Sequence, residues 1–330
     1  MQKVLIIRFS SIGDIVLTSP LIRCLKTQSP ETEIHYITKK QYHPILSSNP
    51  YISKVWLFDN DFKSLIPRLR SENFDFIVDL HRNFRSRFVI LKLQRPSASF
   101  PKLNYRKWLM VNFRINLLPE IHIVDRYFSA LQKLEILNDR KGLDYFIPSS
   151  EEVDIVELIP GLKNGYMAFS IGGRHYTKLF PEEKIIAVCN GTALPVLLLG
   201  GPEDKERGER IVKLTGSHVV NGCGKFSISQ SASLVRQSQL VITNDTGMMH
   251  IAAAFHKPII SIWGNTVPAF GMYPYLPEGL EGNAKIFEVQ GLSCRPCSKI
   301  GYDRCPKIHF RCMNDQDVEG IINSLAGGGY

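Results

Sequence analysis

The stretch that decides the fold is residues 239–264, which read QLVITNDTGMMHIAAAFHKPIISIWG. The short apolar run from Leu240 to Thr243 predicts a buried parallel strand, and the small apolar residues from Met248 to Phe255 predict a helix. Pro258 cannot continue that helix, because its ring blocks the next turn, and it opens another apolar run. The stretch therefore predicts a strand–turn–helix–strand unit of an α/β fold.

The polar turn of this unit is a candidate phosphate site. Beyond the carboxyl end of a parallel strand, a helix start presents free backbone N–H groups and the positive end of its dipole. Asp245, Thr246 and Gly247 form that turn, and His250 follows one helical turn later. The segment alone is equally compatible with an ordinary helix capped by Asp245 or Thr246, with His250 on the surface.

The rest of the chain repeats the same alternation. Short apolar runs alternate with helical segments from Lys3 to Leu134, and the pattern restarts at Tyr166 after a proline-containing, acidic segment at residues 144–160. Such alternation specifies parallel sheets covered by helices. The 330 residues also exceed what one core usually serves. We predict two domains, residues 1–160 and 161–330, that face each other across a cleft.

The composition is that of an ordinary soluble protein, with 44% hydrophobic and 22% charged residues. No apolar run reaches the length of a membrane-spanning helix. The apolar stretch in residues 1–8 is too short for a signal peptide and runs directly into a turn. We therefore expect a cytoplasmic protein.

Positive charge is concentrated in residues 80–119. The formal net charge of the chain is +9, which suggests acidic partners. This segment has no Asp or Glu, and aromatic residues such as Tyr105 and Trp108 stand among its cations. One interpretation is a solvated helix face with a loop, and the one we favour is a patch for an anionic acceptor or lipid headgroups. It carries no nucleic-acid recognition motif, so we predict no nucleic-acid partner. Its nine cations are Arg82, Arg85, Arg87, Lys92, Arg95, Lys102, Arg106, Lys107 and Arg114.

Two nucleotide-binding motifs are absent. The first loop, residues 8–14, has a single glycine, so it lacks the dinucleotide fingerprint. Residues 222–227 read GCGKFS, but Phe226 follows the lysine and Val219 stands where a P-loop needs its first glycine. These departures argue against a dinucleotide-binding enzyme and a nucleoside triphosphatase.

A carboxylate in the first loop is the candidate catalytic group. Asp14 would lie across the cleft from a helix start that binds a diphosphate. An inverting group transfer needs that arrangement, because the carboxylate takes a proton from the acceptor hydroxyl while the diphosphate leaves on the other side. From spacing alone, Asp14 is as compatible with capping the first helix.

Several motifs together resemble glycosyltransferase family nine, the ADP-heptose:lipopolysaccharide heptosyltransferases. The opening VLIIRFSSIGDIVLTSP at residues 4–20 and TNDTGMMHIAAA at residues 243–254 are similar to that family's two signatures. GGR at 172–174 with KLFP at 178–181, and LGGPE at 199–203, stand where the family has them. The resemblance implies the GT-B fold, two Rossmann-like doubly wound domains, with the nucleotide sugar held mainly by the second.

The resemblance also implies an activity and a set of site residues. The activity is inverting transfer of a heptose, or a related sugar, from ADP-heptose to an acidic lipopolysaccharide core acceptor, with no metal needed for the chemistry. Asp14 resembles the general base and Gly13 shapes its loop. The residues that resemble the donor site are Lys178 at the phosphates, Glu203 or Asp204 at the ribose, and Asp245, Thr246, Gly247 and His250 at the loop and helix start.

The implied partners are a nucleotide-diphosphate sugar donor and an anionic lipid-linked saccharide acceptor. Because such an acceptor lies in a membrane, peripheral contact with the cytoplasmic face of the inner membrane follows. Two alternatives stay open at this point: a non-catalytic nucleotide-sugar-binding protein, and a nucleotide-sugar epimerase with the GT-B fold.

Four of the seven cysteines crowd the last forty residues. Cys294, Cys297, Cys305 and Cys312 have the spacing C-x2-C-x7-C-x6-C. Four thiols within nineteen residues can reach one tetrahedral ion, and in a cytosolic protein a metal is favoured over disulfides. We predict a structural zinc or iron site here; the alternative is four reduced thiols, with His309 as a spare ligand or a surface residue.

Overall fold

A computed structural model describes residues 2–326, in which the chain forms two parallel β-sheets flanked by helices. The last four residues of the predicted second domain lie outside the described residues. The first sheet has the order β3-β2-β1-β4-β5, and the second has the order β11-β10-β9-β6-β7-β8. The strands of the first sheet are β1 Lys3–Ile7, β2 Glu33–Lys39, β3 Lys54–Phe58, β4 Phe76–Asp79 and β5 Ser97–Ser99. Those of the second are β6 Met167–Ser170, β7 Val196–Leu199, β8 Val219–Asn221, β9 Leu240–Asn244, β10 Ile259–Trp263 and β11 Ala284–Glu288.

Helices cover both sheets. Those along the first half of the chain are α1 Ile12–Val16, α2 Ser19–Gln28, α3 Phe62–Ser71, α4 Phe84–Leu93, α5 Asn104–Phe113, α6 Ile123–Phe128 and α7 Ile155–Leu158. The others are α8 Glu182–Asn190, α9 Lys205–Lys213, α10 Ile228–Gln237, α11 Gly247–Ala254, α12 Arg311–Asn314 and α13 Val318–Ala326. Short 3₁₀ segments occupy Lys40–Ile45, Ser129–Leu134, Ser149–Glu151, Pro160–Leu162, Tyr176–Lys178, Pro202–Asp204, Pro268–Phe270 and Glu281–Asn283.

Burial explains why the central strands are continuous apolar runs. In β1, Val4 and Ile6 belong to one hydrophobic cluster, whereas Leu5 and Ile7 belong to another on the opposite face. All four side chains are fully buried, because side chains alternate across a strand and both faces of a parallel sheet are covered. Two doubly wound α/β sheets are therefore confirmed as the fold class.

In each sheet, the strand order identifies two neighbouring strands beyond whose ends a ligand usually binds. In the first sheet, chain order reverses between β1 and β4, and in the second it reverses between β6 and β9. In open α/β sheets the crevice at this reversal, beyond the carboxyl ends of the strands, is the usual binding site. The loops after β1, β6 and β9 are those that carry Asp14, Lys178 and Asp245.

A proline divides the first helical segment. α1 ends at Val16 and α2 begins at Ser19, with Pro20 in its first turn, where the missing N–H costs no helix hydrogen bond. The short α1 is thereby separated from the longer α2 that packs on the sheet. This division leaves α1 free to lie against the second sheet's helices.

The predicted boundary between residues 160 and 161 falls between the two sheets, after Ser99 and before Met167, and it stays a prediction. None of the helices in residues 2–326 has the length and apolar character that a bilayer crossing requires.

Candidate functional site

The start of α1 and the start of α11 pack directly against each other. A Cβ atom placed on Gly13 would lie 3.3 Å from the Cα atom of Gly247 and 2.5 Å from Cδ2 of His250. A Cβ atom on Gly247 would lie 2.7 Å from Cγ2 of Ile12. Only glycine leaves room for this approach, so the two switch-point loops of the two sheets form opposite walls of one site.

Asp14 is held in one orientation by three donors. Its Oδ2 accepts hydrogen bonds from the backbone N–H of Ser11 at 3.1 Å and from the Ser11 hydroxyl at 2.7 Å. Its Oδ1 forms an ion pair with the guanidinium of Arg8. Burial alone would raise the pKa of Asp14, but Arg8 and the Ser11 hydrogen bonds outweigh burial and hold the pKa at about 2. Asp14 is thus an ionised, oriented carboxylate that also closes the first turn of α1.

On the opposite wall, Lys178 and Asp245 are paired. The Lys178 Nζ atom lies 2.6 Å from Oδ2 of Asp245 and 3.1 Å from its carbonyl oxygen. The same Oδ2 accepts a hydrogen bond of 2.7 Å from the Thr266 hydroxyl. Both side chains are largely buried, so a cation is fixed beside the start of α11.

The start of α11 has backbone donors without a side-chain cap. Thr246 is the N-cap residue, but its hydroxyl forms no capping hydrogen bond and instead lies 3.4 Å from the Thr243 hydroxyl. The interpretation as an ordinary side-chain-capped helix is therefore wrong for Asp245 and Thr246. His250 is only 3% exposed, so it is not a surface residue. Burial lowers its pKa to about 4, and its Nδ1 has no partner among residues 2–326.

The two acidic candidates after β7 differ in environment. Glu203 is exposed, with its carboxylate beside Gly201. Asp204 is buried and accepts a hydrogen bond of 2.9 Å from the Gly201 backbone N–H. Burial raises the pKa of Asp204. Glu203 is therefore free to meet a ligand, whereas Asp204 is engaged in the loop itself.

A cation cluster is formed by Lys102 and Lys107 of the basic segment together with Arg126, which the sequence did not single out. Arg126 is 5% exposed and donates one hydrogen bond, from Nη2 to the Phe270 carbonyl at 2.9 Å. Its Nε and Nη1 have no hydrogen-bond partner within the described part of the chain. Burial, and then the charge of Arg126, lower the pKa of Lys107 to about 8, and Asp14 is near enough to oppose that shift. A buried guanidinium with unused donors is the requirement for an anion site.

The middle of the basic segment is a helix with no buried residue. On α5, Tyr105 and Trp108 stack with ring centroids 6.1 Å apart, and Phe113 packs edge-on against Trp108 at 5.3 Å. All three rings are exposed, at 70%, 47% and 58%. These rings form an exposed aromatic cluster that stands among the cations of the same helix.

The four late cysteines surround a cavity of about 10 Å³, the space of one small occupant. Its walls include Cys294, Cys297, Cys305, Cys312, His309 and Asn265. Sγ of Cys294 lies 3.7 Å from Nε2 of His309. The side-chain amide of Asn265 is buried and has no partner among residues 2–326. In that same range, no three His, Cys, Asp or Glu side chains are arranged to hold a metal ion.

The cysteine-containing loop connects the two walls of the site. Arg114, which ends α5, donates from Nε to the Ser293 carbonyl at 2.8 Å and from Nη2 to the Cys294 carbonyl at 3.0 Å. Tyr302, further along the loop, exchanges hydrogen bonds with Thr177, the neighbour of Lys178. The loop therefore holds α5 against the second sheet.

The comparisons with known proteins identify the family of the chain. Residues 62–304 match glycosyltransferase family 9 (heptosyltransferase). The chain belongs to this family. It is therefore a glycosyltransferase rather than a non-catalytic binding protein.

One curated relative and two solved structures show how far the similarity extends. Lipopolysaccharide heptosyltransferase 1 of Campylobacter coli is 24% identical over 291 residues, which is 80% of this chain and 84% of the relative. A family 9 glycosyltransferase from Veillonella parvula has a TM-score of 0.78 at 21% identity and covers 98% of this chain and 96% of its own. The Escherichia coli ADP-heptose lipopolysaccharide heptosyltransferase II has a TM-score of 0.69 at 20% identity, covering 99% and 100%. The predicted GT-B fold is thereby confirmed.

Proposed function

We propose that this glycosyltransferase moves a heptose from ADP-heptose to an acidic lipopolysaccharide core acceptor, with inversion and with Asp14 as the general base. The observation that carries the proposal is the ionised, oriented carboxylate of Asp14 on a helix, α1, whose first turn packs against the uncapped start of α11. These are the two groups that such a transfer needs, a proton acceptor and an anchor for the leaving diphosphate. The E. coli relative named for ADP-heptose supports the donor.

The transfer requires no reactant beyond the two substrates and the Asp14 carboxylate. The acceptor hydroxyl oxygen attacks the anomeric carbon of the donor sugar, and the bond from that carbon to the β-phosphate oxygen breaks. The bonding electron pair leaves with ADP, and the hydroxyl proton passes to the Asp14 carboxylate. Attack from the side opposite to ADP inverts the anomeric carbon, because base and diphosphate lie on opposite walls.

We assign the donor to the second sheet. The backbone N–H groups of Thr246 and Gly247 and the ammonium group of Lys178 would bind the diphosphate, since helix starts and lysines are phosphate ligands. Lys178 already has the Asp245 carboxylate as a partner, so the diphosphate would add to or replace that contact. Glu203 is the carboxylate we assign to the ribose, because it is exposed where Asp204 is buried.

We assign the acceptor to the first sheet's side of the site. The unused donors of Arg126 and the half-buried ammonium group of Lys107 suit a phosphate or carboxylate group on the acceptor saccharide. The acceptor hydroxyl would then reach Asp14, which is close enough to Lys107 for its negative charge to raise the pKa of that lysine. The exposed rings of α5 suit the membrane in which a lipid-linked acceptor is embedded, which supports peripheral contact with an anionic bilayer.

The cysteine cavity suits one structural ion, zinc or iron. The donor set is four thiols with an imidazole beside them, and the buried Asn265 amide in the same lining has no hydrogen-bond partner among residues 2–326. Cys294, Cys297, Cys305 and Cys312 would hold the ion, since all four line the same cavity. Its contribution would be to stabilise the loop that connects α5 to the second sheet.

The test is a transfer assay with purified enzyme, ADP-heptose and a heptose-free lipopolysaccharide acceptor. The wild-type protein is expected to release ADP only when both substrates are present. Asp14→Asn is expected to bind ADP with unchanged affinity by calorimetry but to lose a factor of about 10² to 10⁴ in kcat. Asp139→Asn, which alters the partner of a different buried arginine, serves as the matched control. Wild-type turnover in Asp14→Asn would show that Asp14 is not the base.

A further inference from the structure

Arg8 uses all three of its nitrogen atoms to hold the Asp14 loop. The side chain is 9% exposed and lies where β1 ends. Nε donates to the Ser10 carbonyl at 2.8 Å, Nη1 donates to the Leu80 carbonyl, and Nη2 pairs with Oδ1 of Asp14. The guanidinium thus joins the loop after β1 to the end of β4, the two strands between which the chain order of the first sheet reverses.

We propose that Arg8 is a positioning residue for the general base, and that it selects Oδ1 of Asp14 as the atom that receives the proton. The inference rests on the proposed function of Asp14. A carboxylate offers about two lone-pair directions on each oxygen. Oδ2 already accepts two hydrogen bonds from Ser11, whereas Oδ1 accepts only from Arg8 among residues 2–326. One lone pair of Oδ1 is therefore available for the acceptor hydroxyl, and the rigid fork of Arg8 fixes where it points.

Arg8 acts through charge and geometry and not as a proton carrier. A guanidinium is not deprotonated in proteins, so the proton that Asp14 takes must afterwards go to water or product. The fixed positive charge keeps Asp14 ionised before the step and opposes its protonation during the step. Loss of the charge would therefore raise the proton affinity of Asp14 and at the same time release its orientation.

The other groups that face Asp14 leave a pH window in which this effect is measurable. Burial lowers the pKa of His81 to about 3 and that of His250 to about 4, whereas Lys107 titrates at about 8. Between about pH 5 and about pH 7, a unit inside the values for His250 and Lys107, these neighbours keep nearly constant charge. The titratable and charged groups that sense the charge of Asp14 or Arg8 are Tyr36, His81, Lys102, Lys107, Tyr127 and His250.

The chain provides a matched control for the loss of a buried arginine. Arg23 is 8% exposed and pairs with Asp139 and Asp144 on the far side of α2. Its removal would cost burial and ion pairing as the removal of Arg8 does, yet Arg23 makes no contact with Asp14. Any change in Asp14 chemistry that appears in an Arg8 variant but not in Arg23→Met is specific to the Asp14 loop.

The experiment combines carboxyl ¹³C NMR titration of Asp14, assigned with Asp14→Asn, and the pH profile of kcat/KM for transfer. In wild type, Asp14 is expected to show no titration above pH 4. In Arg8→Met, Asp14 is expected to titrate between pH 4 and 7, with kcat reduced by at least about tenfold and donor KM within about twofold. Arg8→Lys keeps the charge, so it should keep the wild-type titration and restore only part of kcat. Arg23→Met should retain the wild-type titration and pH profile.

The outcomes separate this inference from the function on which it rests. If wild type transfers heptose but Arg8→Met has wild-type kcat and pH profile, Arg8 is not a positioning residue and the proposed function stands. If Arg8→Met does not fold, Arg8→Lys decides: full wild-type kcat overturns the inference, and a reduced kcat with unchanged Asp14 titration supports it. A wild-type protein that transfers no sugar overturns both.

Discussion

Gly13 and Gly247 pack backbone against backbone across the site, with 3.3 Å between the position of a Cβ atom on Gly13 and the Cα atom of Gly247. Gly13 lies in the first turn of α1, next to the proposed base Asp14, and Gly247 is the first residue of α11, at the proposed donor anchor. Two helix starts at this distance place two positive dipole ends next to each other. Such an arrangement is costly without an anion nearby, and both the Asp14 carboxylate and a bound diphosphate would relieve it.

Gly13→Ala should impair turnover more than folding. The new methyl group would lie 2.5 Å from Cδ2 of the buried His250, so α1 and α11 must move apart or the imidazole must turn. We expect kcat to fall at least about tenfold, with about 1–3 kcal/mol lost from the free energy of unfolding. Steady-state kinetics and urea denaturation measure the two effects. Gly282→Ala, where an added Cβ meets nothing within 4 Å, should be neutral in both.

Lys178→Met should weaken the binding of ligands that carry a diphosphate much more than the binding of a ligand without phosphate. If Lys178 binds the diphosphate, ADP and ADP-heptose should lose about 10- to 100-fold in affinity, whereas adenosine should lose little. Calorimetry with the three ligands measures this difference. Lys184→Met is the control, since Lys184 donates to the Gln316 carbonyl at 3.2 Å, away from the site. Equal losses for adenosine and ADP would place Lys178 elsewhere.

The position of each loop at the end of its strand can be predicted from the sequence, because the loop and the strand are neighbours in the chain, whereas the roles of the loop residues stay predictions. Asp14 and the turn from Asp245 to Gly247 follow directly after apolar strands, and parallel strands align all such loops along one edge of their sheet. The pattern of short apolar runs was therefore enough for the fold class. The family signatures then gave roles to the residues in those loops.

What the sequence did not reveal depends on packing between distant segments. Arg126 donates to the Phe270 carbonyl 144 residues away, and no local pattern distinguishes it from other helical arginines. Arg8 was visible as part of the first signature, but its contact with Leu80 needs the β1–β4 pairing. The sequence does carry one indication of an anion site: residues 80–119 contain no Asp or Glu, so the cations of that segment have no acidic partner nearby in the chain.

Acceptor binding should weaken above pH 8 because of Lys107. Burial, followed by the charge of Arg126, lowers the pKa of the free Lys107 ammonium group to about 8, and a bound anion would raise it. Binding is therefore strongest below pH 8 and is lost as Lys107 deprotonates. We expect acceptor KM to rise from pH 7 to 9 in wild type and to be high and nearly independent of pH in Lys107→Met. Lys133→Met should follow the wild-type profile, and a wild-type KM constant across this range would contradict the assignment.

The cysteine cavity should retain one zinc or iron ion per chain after purification. Metal analysis by mass spectrometry measures the content, and Cys305→Ser with Cys312→Ser should abolish it. Because the loop carries the carbonyls that Arg114 binds, loss of the ion should also raise acceptor KM more than donor KM. Cys223→Ser removes a buried thiol outside the cavity and should leave the metal content unchanged. A metal-free wild-type protein with full stability would favour four reduced thiols.

Vesicle binding should depend on the rings of α5 and on anionic lipid together. The exposed rings of α5 are Tyr105, Trp108 and Phe113, and they stand beside the cations of residues 80–119 on a helix with no buried residue. Negative headgroups would attract those cations and so favour burial of the rings in the bilayer surface. We expect co-sedimentation with vesicles that contain phosphatidylglycerol and little with phosphatidylcholine alone. Trp108→Ser with Phe113→Ser should reduce binding at least about tenfold, whereas Leu214→Ser, an equally exposed apolar residue on the other sheet's helices, should not. Because the rings lie outside the Asp14 site, the double variant should still transfer heptose to a short, lipid-free acceptor. If transfer to that acceptor falls as much as vesicle binding does, α5 binds the saccharide and not the membrane.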